Sequence, residues 1–304
     1  MHFNCKEDII QCSPQWKGER FPDGRPKVPD DILRRIGNTT LEEMWAPLYR
    51  LEYKYQQEGR LKRANPKKKI LVGRAVTAMY APTRPDVADY YMDFGRNTEG
   101  RKGFFNQWPL EDLQEHDVMV MDMYGKVVEG CPIGGNLSTL ISKKTRDGGA
   151  IVWGGVRDMD QIVEIENTQT YYLDTDPTPF RETMLLGINI PVRIGRAVCV
   201  PGDVVLGTPA GVIFIPAHLA EYCVVDAEKS HVRDIWGFIR LKELKYTAAQ
   251  IDSPWEPEMW EDFHDWFVKD DGAKDYRHLD FSEELAEARA KKSASQKPGE
   301  ETRW

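Results

Sequence analysis

The chain has 304 residues, of which 41% are hydrophobic, so it can bury a substantial core as one large domain or two small ones. Its 49 acidic and 41 basic side chains give a formal net charge of -8, and we interpret the basic run at residues 67–69 as a solvated turn. Because binding to a phosphate backbone requires clustered lysine and arginine, this balance argues against a nucleic-acid partner.

The sequence shows no pattern typical of secretion or of membrane insertion. Residues 1–8 lack a basic stretch followed by an apolar one, and no window approaches the ~18 uncharged apolar residues of a membrane span. The five scattered cysteines form no CxxC pair, which indicates reduced thiols and argues against a structural zinc site. We therefore expect a soluble, cytoplasmic protein without a membrane partner.

The first third of the chain is predicted to hold an arm, a helix, a strand and a long connection. Residues 1–36 begin with a polar stretch rich in proline and glycine, which favours an extended N-terminal arm. Residues 38–58 are predicted to be helical, since capping side chains come first and apolar residues then recur at helical spacing. The apolar run 70–79 predicts a strand. Residues 81–110, with prolines and glycines among aromatic residues, predict an irregular connection of a length that is often functional or interface-forming.

Strands and helices then alternate before several strands follow one another. The predicted strands are 118–123, 150–153, 192–200, 204–206 and 212–215, and the predicted helices are 137–144, 159–167 and 217–236. This order predicts one α/β layered domain over residues 37–236, with a mixed sheet or a small barrel.

Within residues 237–304, the composition changes after Ser253, with tryptophans and a phenylalanine among many acidic residues and no obvious core. We predict a C-terminal arm that packs on a neighbouring subunit. The segment from about residue 288 onward is polar and rich in lysine, serine and glutamate, which predicts partial disorder there.

Two segments in the middle of the chain are predicted to meet at one edge of the sheet. Gly134, Gly135 and Asn136 open a helix that continues through Leu137 and Ser138. Twenty residues separate Asn136 from the pair Arg157-Asp158, which follows the next strand. An αβ return of this kind brings the helix start and the carboxyl end of the strand together, where open α/β sheets bind ligands.

The residue types at that edge suit a small carboxylate. Unpaired amides at a helix start can hold a carboxylate or an enolate oxygen, and the Arg157 guanidinium can bind a carboxylate through two parallel hydrogen bonds. Asp158 offers an oxygen ligand for a cation such as Mg²⁺, which would polarise a keto group. By spacing alone, however, an Arg-Asp pair after a strand is more often a helix-capping aspartate beside a surface arginine.

A longer pattern points to a known family. The string Gly-Gly-Ala-Ile-Val-Trp-Gly-Gly-Val-Arg-Asp at residues 148–158 resembles the signature of the family of 4-hydroxy-4-methyl-2-oxoglutarate aldolase and regulator of ribonuclease E activity A. In that family, an acidic residue, twenty intervening residues and then Arg-Asp form the active-site motif. Further segments resemble the family in the same order, and the likeness spans about residues 37–236; these segments lie at residues 38–41, 71–77, 117–122, 200–205 and 211–216.

The resemblance implies a swivelling-type β/β/α fold assembled as homotrimers or homohexamers, with active sites at subunit interfaces. It implies a lyase that depends on Mg²⁺ or Mn²⁺ and releases pyruvate by retro-aldol cleavage or decarboxylation. Carried over to this sequence, Arg157 would bind the substrate carboxylate and Asp158 would ligate the metal. The backbone from Gly135 to Ser138 would contact the pyruvate-like part of the substrate, next to Gly134.

The sequence also departs from that family. The family's acidic residue falls on Asn136, or on Gly135 if the loop is one residue longer, so the proton donor is left unassigned. Replacement carboxylates could come from the following helix, although a solvated helix face is the plainer interpretation of each; these are Asp160, Glu164 and Glu166. Two alternatives stay open beside the lyase: a non-catalytic regulatory or binding protein, as some relatives are, and a metal-dependent hydratase or eliminase that acts on a sugar acid.

Overall fold

The protein is described here from a computed structural model, which covers residues 4–68 and 70–295 in detail. The predictions made for residues 1–3, Lys69 and 296–304 lie outside those residues. The chain divides after Val224 into two compact units. Each unit has a hydrophobic core of its own.

The strands and helices are as follows. The strands are β1 (Gln57–Glu58), β2 (Lys62–Arg63), β3 (Leu71–Pro82), β4 (Asp117–Asp122), β5 (Gly149–Val156), β6 (Gln169–Thr175), β7 (Thr183–Ile188), β8 (Val192–Ile194), β9 (Ala197–Cys199), β10 (Val204–Thr208) and β11 (Gly211–Ile215). The helices are α1 (Lys6–Gln11), α2 (Asp30–Ile36), α3 (Leu41–Arg50), α4 (Pro85–Asn97), α5 (Trp108–Glu111), α6 (Gly135–Thr145), α7 (Met159–Ile162), α8 (Ala220–Lys242), α9 (Ala248–Ile251), α10 (Pro257–Lys269) and α11 (Ser282–Ser295).

A mixed sheet of nine strands organises the first unit. Its order is β1-β11-β10-β3-β4-β5-β6-β2, and β7 pairs with β3 beside this path. The neighbours β3, β4, β5 and β6 run parallel, whereas β7, β10 and β11 are antiparallel to the strands they pair with. The prediction of an α/β fold with a mixed sheet is confirmed, and the described strands close no barrel.

The central strands are buried on both faces of the sheet. Side chains alternate between two cores: Val76 and Met119 lie in one, and their neighbours Ala75 and Val118 lie in the other. Continuous apolar strands of this kind are typical of parallel sheets that are covered on both sides. This burial fixes the parallel strands, and with them the edge where their carboxyl ends meet.

The segment before the first strand is tied to the sheet by a buried ion pair. Arg25 donates hydrogen bonds to both carboxylate oxygens of Asp117, across 2.9 and 3.0 Å, and neither side chain is exposed. Arg74 of β3 also donates hydrogen bonds to Val28 and Asp30. Residues 4–36, predicted to belong to an extended arm, therefore hold α1 and α2 and are anchored to the core.

Several predicted elements differ from the structure. The predicted helix 38–58 ends at Arg50, and β1 takes its last two residues. Residues 81–110 are not irregular, because they contain α4 and α5. The predicted helix 159–167 is only the four-residue α7, the strand 192–200 is the hairpin β8–β9, and β6 and β7 were not predicted.

The second unit has a dense aromatic core, so the prediction that this tail has none was wrong. Trp236 of α8 packs against Trp255 and Phe263, with ring centroids 4.5 and 5.8 Å apart. Trp260 and Phe281 join the same cluster. Disorder was predicted from about residue 288, yet the chain is helical up to Ser295, and the remainder of that prediction falls outside the described residues.

Candidate functional site

The helix α6 begins with two glycines, Gly134 at the N-cap and Gly135 as its first residue. Gly134 occupies the N-cap position in extended conformation and, as a glycine, has no side chain with which to cap the helix. The amide of Ser138 returns to the Gly134 carbonyl across 2.9 Å, which closes the first turn. Within the described part of the chain, the amides of Asn136 and Leu137 find no acceptor. The helix start thus presents two free N–H donors at its positive end.

Arg157 and Asp158 follow directly after β5, at the carboxyl edge of the parallel strands. The Arg157 amide donates to the Ile133 carbonyl across 3.2 Å, so this segment is joined to the loop before α6. Asp158 has φ 58° and ψ 42°, in the left-handed region, and forms the N-cap of α7. A non-glycine residue held in that region is a sign of a constrained position.

The two segments are in direct contact. The Gly135 amide donates to Asp158 Oδ2 across 3.2 Å. A Cβ atom on Gly134 would overlap that same oxygen and would lie 3.1 Å from Arg157 Cγ. Glycine at residue 134 is therefore required by the close approach of the Arg-Asp segment rather than by its own backbone angles.

The Arg157 side chain is available to bind an external anion. Its Nη1 lies 3.7 Å from Asp158 Oδ1, beyond hydrogen-bond distance, and 40% of the side chain is exposed. The Asp158 side chain is 29% exposed. A solvent-exposed ion pair at this distance contributes little to stability, so the guanidinium can give it up for a substrate carboxylate that accepts two of its N–H groups.

A cavity of about 550 Å³ opens beside this contact, within the usual size range of small-molecule sites. Four of the residues singled out from the sequence line it: Gly134, Asn136, Leu137 and Arg157. The lining is completed by Thr83, Ala88, Asp89, Met92, Phe104, Phe105, Asn106, Gln107, Cys131, Pro132, Pro179, Phe180, Arg181, Glu182 and Thr183.

Three other predicted site residues lie next to the cavity without lining it. Gly135 is buried, and Asp158 reaches the helix start through the Gly135 amide. Ser138 is 1% exposed, and its Oγ has no hydrogen-bond partner among the described residues. The suggested replacement carboxylates are exposed and do not line the cavity; these are Asp160, Glu164 and Glu166.

The profile of the RraA-like family, described as Aldolase/RraA, matches residues 40–214, which is more than half of the chain. The chain belongs to the RraA-like family. That range contains both the helix start and the Arg-Asp pair. A comparison with curated protein sequences gives no significant match.

Solved structures with the RraA-like fold resemble the chain at low sequence identity. An uncharacterized protein from Pseudomonas syringae pv. tomato is 16% identical and matches with a TM-score of 0.59, covering 75% of this chain and 100% of its own. RraAS2 from Streptomyces coelicolor, described as an unusual member of the RNase ES inhibitor RraA protein family, is 22% identical with a TM-score of 0.59, covering 70% of this chain and 100% of its own. A protein described among novel cellulases from gut-associated microbes is 21% identical with a TM-score of 0.56, covering 79% and 96%. At these identities the likeness establishes the fold alone.

Much of the cavity wall of this RraA-like protein could not be found from the sequence. Arg181, Phe180 and Glu182 precede β7, a strand that was not predicted, so nothing placed them near Arg157. Phe104 and Phe105 lie in the long connection 81–110, whose length was the one signal of a functional segment.

A metal ion at this site would have few protein ligands, and the cysteine beside it is a poor nucleophile. Among residues 4–68 and 70–295, no three histidine, cysteine, aspartate or glutamate side chains converge to hold a metal ion. Burial raises the pKa of the Cys131 thiol to about 11, which argues against a thiolate nucleophile at neutral pH.

Among residues 4–68 and 70–295, none of the helices combines the length and apolar character that a bilayer span needs.

Proposed function

We propose that this RraA-like protein is a lyase that cleaves a carbon–carbon bond in a small 2-keto or hydroxy-carboxylate and stabilises the enolate that results. The single observation that carries the proposal is that Arg157 lines one cavity together with Asn136 and Leu137, the two residues whose amides have no acceptor among the described residues. Both groups attract negative charge: the amides begin α6, Arg157 follows directly after β5, and the Gly135–Asp158 hydrogen bond joins the two segments.

The chemistry assigns a part to each group. Arg157 holds the substrate carboxylate through two N–H groups, and the amides of Asn136 and Leu137 hold the neighbouring keto oxygen. In retro-aldol cleavage, the substrate hydroxyl loses its proton as the carbon–carbon bond breaks. The bonding electron pair passes into the keto group, which becomes an enolate, and protonation at carbon then releases the keto acid. Amides fixed in advance lower the barrier because charge grows on that oxygen in the transition state.

Asp158 is the residue that would hold a Mg²⁺ or Mn²⁺ ion. One carboxylate suffices for such an ion only when water and substrate oxygens supply its other ligands, so we propose that the cation binds together with substrate. When bound, it would supply positive charge at the keto oxygen. Asn136, where the family has an acid, gives no second carboxylate, and the proton-transferring group is unassigned.

A homotrimer or homohexamer with active sites at its interfaces, located in the cytoplasm, belongs to the same proposal. Light scattering on the purified protein tests the assembly, with a monomer as the contradicting result.

A second candidate is a non-catalytic regulatory protein. Asn136 in place of an acid favours it, and the Streptomyces neighbour is described as a member of an RNase inhibitor family. Such a protein would have no use for an open guanidinium beside a row of free amides. Capture of a stoichiometric protein partner, together with no turnover of any keto acid, would favour this candidate over the lyase.

The deciding experiment is a screen of keto acids and sugar acids in the presence of Mg²⁺ and Mn²⁺, following pyruvate release and total substrate loss in parallel. Pyruvate release equal to substrate loss supports the lyase, whereas substrate loss without pyruvate indicates hydration or elimination. Arg157→Ala should abolish the activity. The matched control is Arg146→Ala, because Arg146 is 72% exposed and does not line the cavity.

A further inference from the structure

Resting on the proposed function, we infer that the cavity takes a substrate with one carboxylate and an apolar aryl or branched-alkyl group, rather than a second carboxylate. The cavity of about 550 Å³ is much larger than a three-carbon keto acid requires, since a water molecule in the liquid occupies about 30 Å³. Arg157 and the helix amides would engage only the keto-acid end. The rest of the lining therefore determines what the other end of the substrate can be.

Apolar residues make up slightly more than half of that remaining wall. Met92, Phe104, Phe105 and Phe180 all line the cavity, beside Leu137 from the helix start. Phe104 is 61% exposed, so its ring leaves apolar surface uncovered that a ligand can bury. Together with its apolar neighbours in the wall, this ring forms a surface that an apolar ligand group can cover.

Two of the aromatic residues in this wall, Phe105 and Phe180, are held in place before any ligand binds. The Phe105 ring meets Trp108 edge-on with centroids 4.9 Å apart, and Phe180 meets Tyr80 in the same way at 5.6 Å. Asn106 Nδ2 donates to the Pro132 carbonyl across 2.9 Å, which ties this segment to the loop before Gly134. A wall fixed in this way reduces the entropy that ligand binding must otherwise cost.

The charges in the lining oppose a second carboxylate. The cavity lining includes two cations, Arg157 and Arg181, and two anions, Asp89 and Glu182. Once Arg157 binds the first carboxylate, Arg181 is the remaining cation of the lining. It would have to balance Asp89, Glu182 and any second carboxylate of the substrate. Because like charges repel, a dicarboxylate binds at a disadvantage that a substrate with an apolar end does not meet.

The test uses isothermal titration with three keto acids that lack a hydroxyl at C4 and so cannot undergo retro-aldol cleavage: pyruvate, phenylpyruvate and 2-oxoglutarate. We expect phenylpyruvate to bind about tenfold more tightly than either of the others, because its ring is buried against the wall. Phe104→Ala should remove most of that advantage and lower the phenylpyruvate affinity more than the pyruvate affinity. The control is Tyr55→Ala, which removes an aromatic ring that is 67% exposed and does not line the cavity.

The charge argument has its own variant. Glu182→Gln combined with Asp89→Asn should raise the affinity for 2-oxoglutarate several-fold and leave phenylpyruvate nearly unchanged. The inference is overturned if the unaltered protein binds 2-oxoglutarate more tightly than phenylpyruvate, or if Phe104→Ala has no effect on phenylpyruvate binding. In either case the proposed function still stands if Arg157→Ala abolishes keto-acid binding. If none of the three keto acids binds, both the inference and the proposed function fail.

Discussion

The amide of Gly135 donates a hydrogen bond to Asp158 Oδ2 across 3.2 Å, joining two residues that are 23 positions apart in the chain. The first residue of α6 is thereby fixed to the residue that follows Arg157. Because the donor is a backbone group and the acceptor is an N-cap residue in left-handed conformation, neither partner can move without disturbing a helix start. This bond sets the position of Arg157 relative to the free amides.

Alanine at the two neighbouring glycines should have different effects. In Gly134→Ala, the new methyl group collides with Asp158 Oδ2 and approaches Arg157, so we expect keto-acid binding to fall by at least about tenfold. In Gly135→Ala, the methyl group overlaps the amide end of the Gln161 side chain, which is exposed and can swing away, and then leaves only a tight 3.0 Å contact with Gln161 Cβ. That variant should keep most of the affinity, as measured by titration with pyruvate.

The control for both variants is Gly37→Ala, where a methyl group would meet its nearest neighbour at an ordinary 3.4 Å. Equal losses in Gly134→Ala and Gly135→Ala would show that the Arg-Asp contact does not govern binding. A loss of folding, checked by circular dichroism, would assign the effect to stability instead.

Metal removal should stop turnover if Asp158 holds a cation together with substrate. With a single protein carboxylate, we expect weak binding of Mg²⁺ in the absence of substrate and loss of activity in a chelator, restored by added Mg²⁺ or Mn²⁺. Asp158→Asn keeps an acceptor for the Gly135 amide but removes the charge. It should therefore raise the Mg²⁺ concentration needed for half-maximal activity by about tenfold or more. Full activity in the chelator would remove the metal from the proposal.

The central strands of the sheet were predicted from the sequence more accurately than the helices around them. The runs that became β3, β4 and β5 are buried on both faces, so they are mostly apolar and can be recognised without tertiary information. α4 was missed because the prolines and glycines of residues 81–110, Gly95 among them, suggested an irregular connection. The lack of a side chain at Gly95 instead makes room for the Trp108 ring, a tertiary contact that the local pattern cannot show.

Only part of the candidate site could be predicted from the sequence. Gly134 and Arg157 lie at the two ends of one αβ return, which is a local motif with a known geometry. Arg181 and Phe180 reach the cavity from the start of β7, an edge strand whose pairing with β3 spans about a hundred residues. Only the folded sheet brings these residues to Arg157.

The Arg25–Asp117 pair should be essential to the first unit. Neither side chain is exposed, so Arg25→Ala leaves a carboxylate buried without its partner, and the free energy of unfolding should fall by about 3–5 kcal/mol. The matched control is Arg84→Ala, since Arg84 also binds both oxygens of an aspartate but is 71% exposed. Its loss should cost no more than about 1 kcal/mol in urea unfolding. Similar midpoints for the two variants would mean that residues 4–36 are not held by the buried pair.

Asp203 should make stability depend on pH. Burial raises the pKa of its carboxyl group to about 8, and the one hydrogen bond that opposes this shift comes from the Val200 amide across 2.9 Å. An unfolded aspartate titrates near pH 4, so between about pH 4 and pH 8 the folded state binds a proton that the unfolded state has released. Stability from this group is therefore fully present below about pH 4 and is lost as the pH rises toward 8, by up to about 1.4 kcal/mol per pH unit.

Asp203→Asn isolates this effect from the other titrating groups. Asparagine is uncharged at every pH and can still accept the hydrogen bond from the Val200 amide. We expect the variant to gain stability relative to the unaltered protein as the pH is raised from 5 to 7.5, measured by urea unfolding at both values. A difference between the two proteins that stays constant across this range would mean that Asp203 is already ionised in the folded state, and that the carboxyl group is less isolated from water than its 3% exposure indicates.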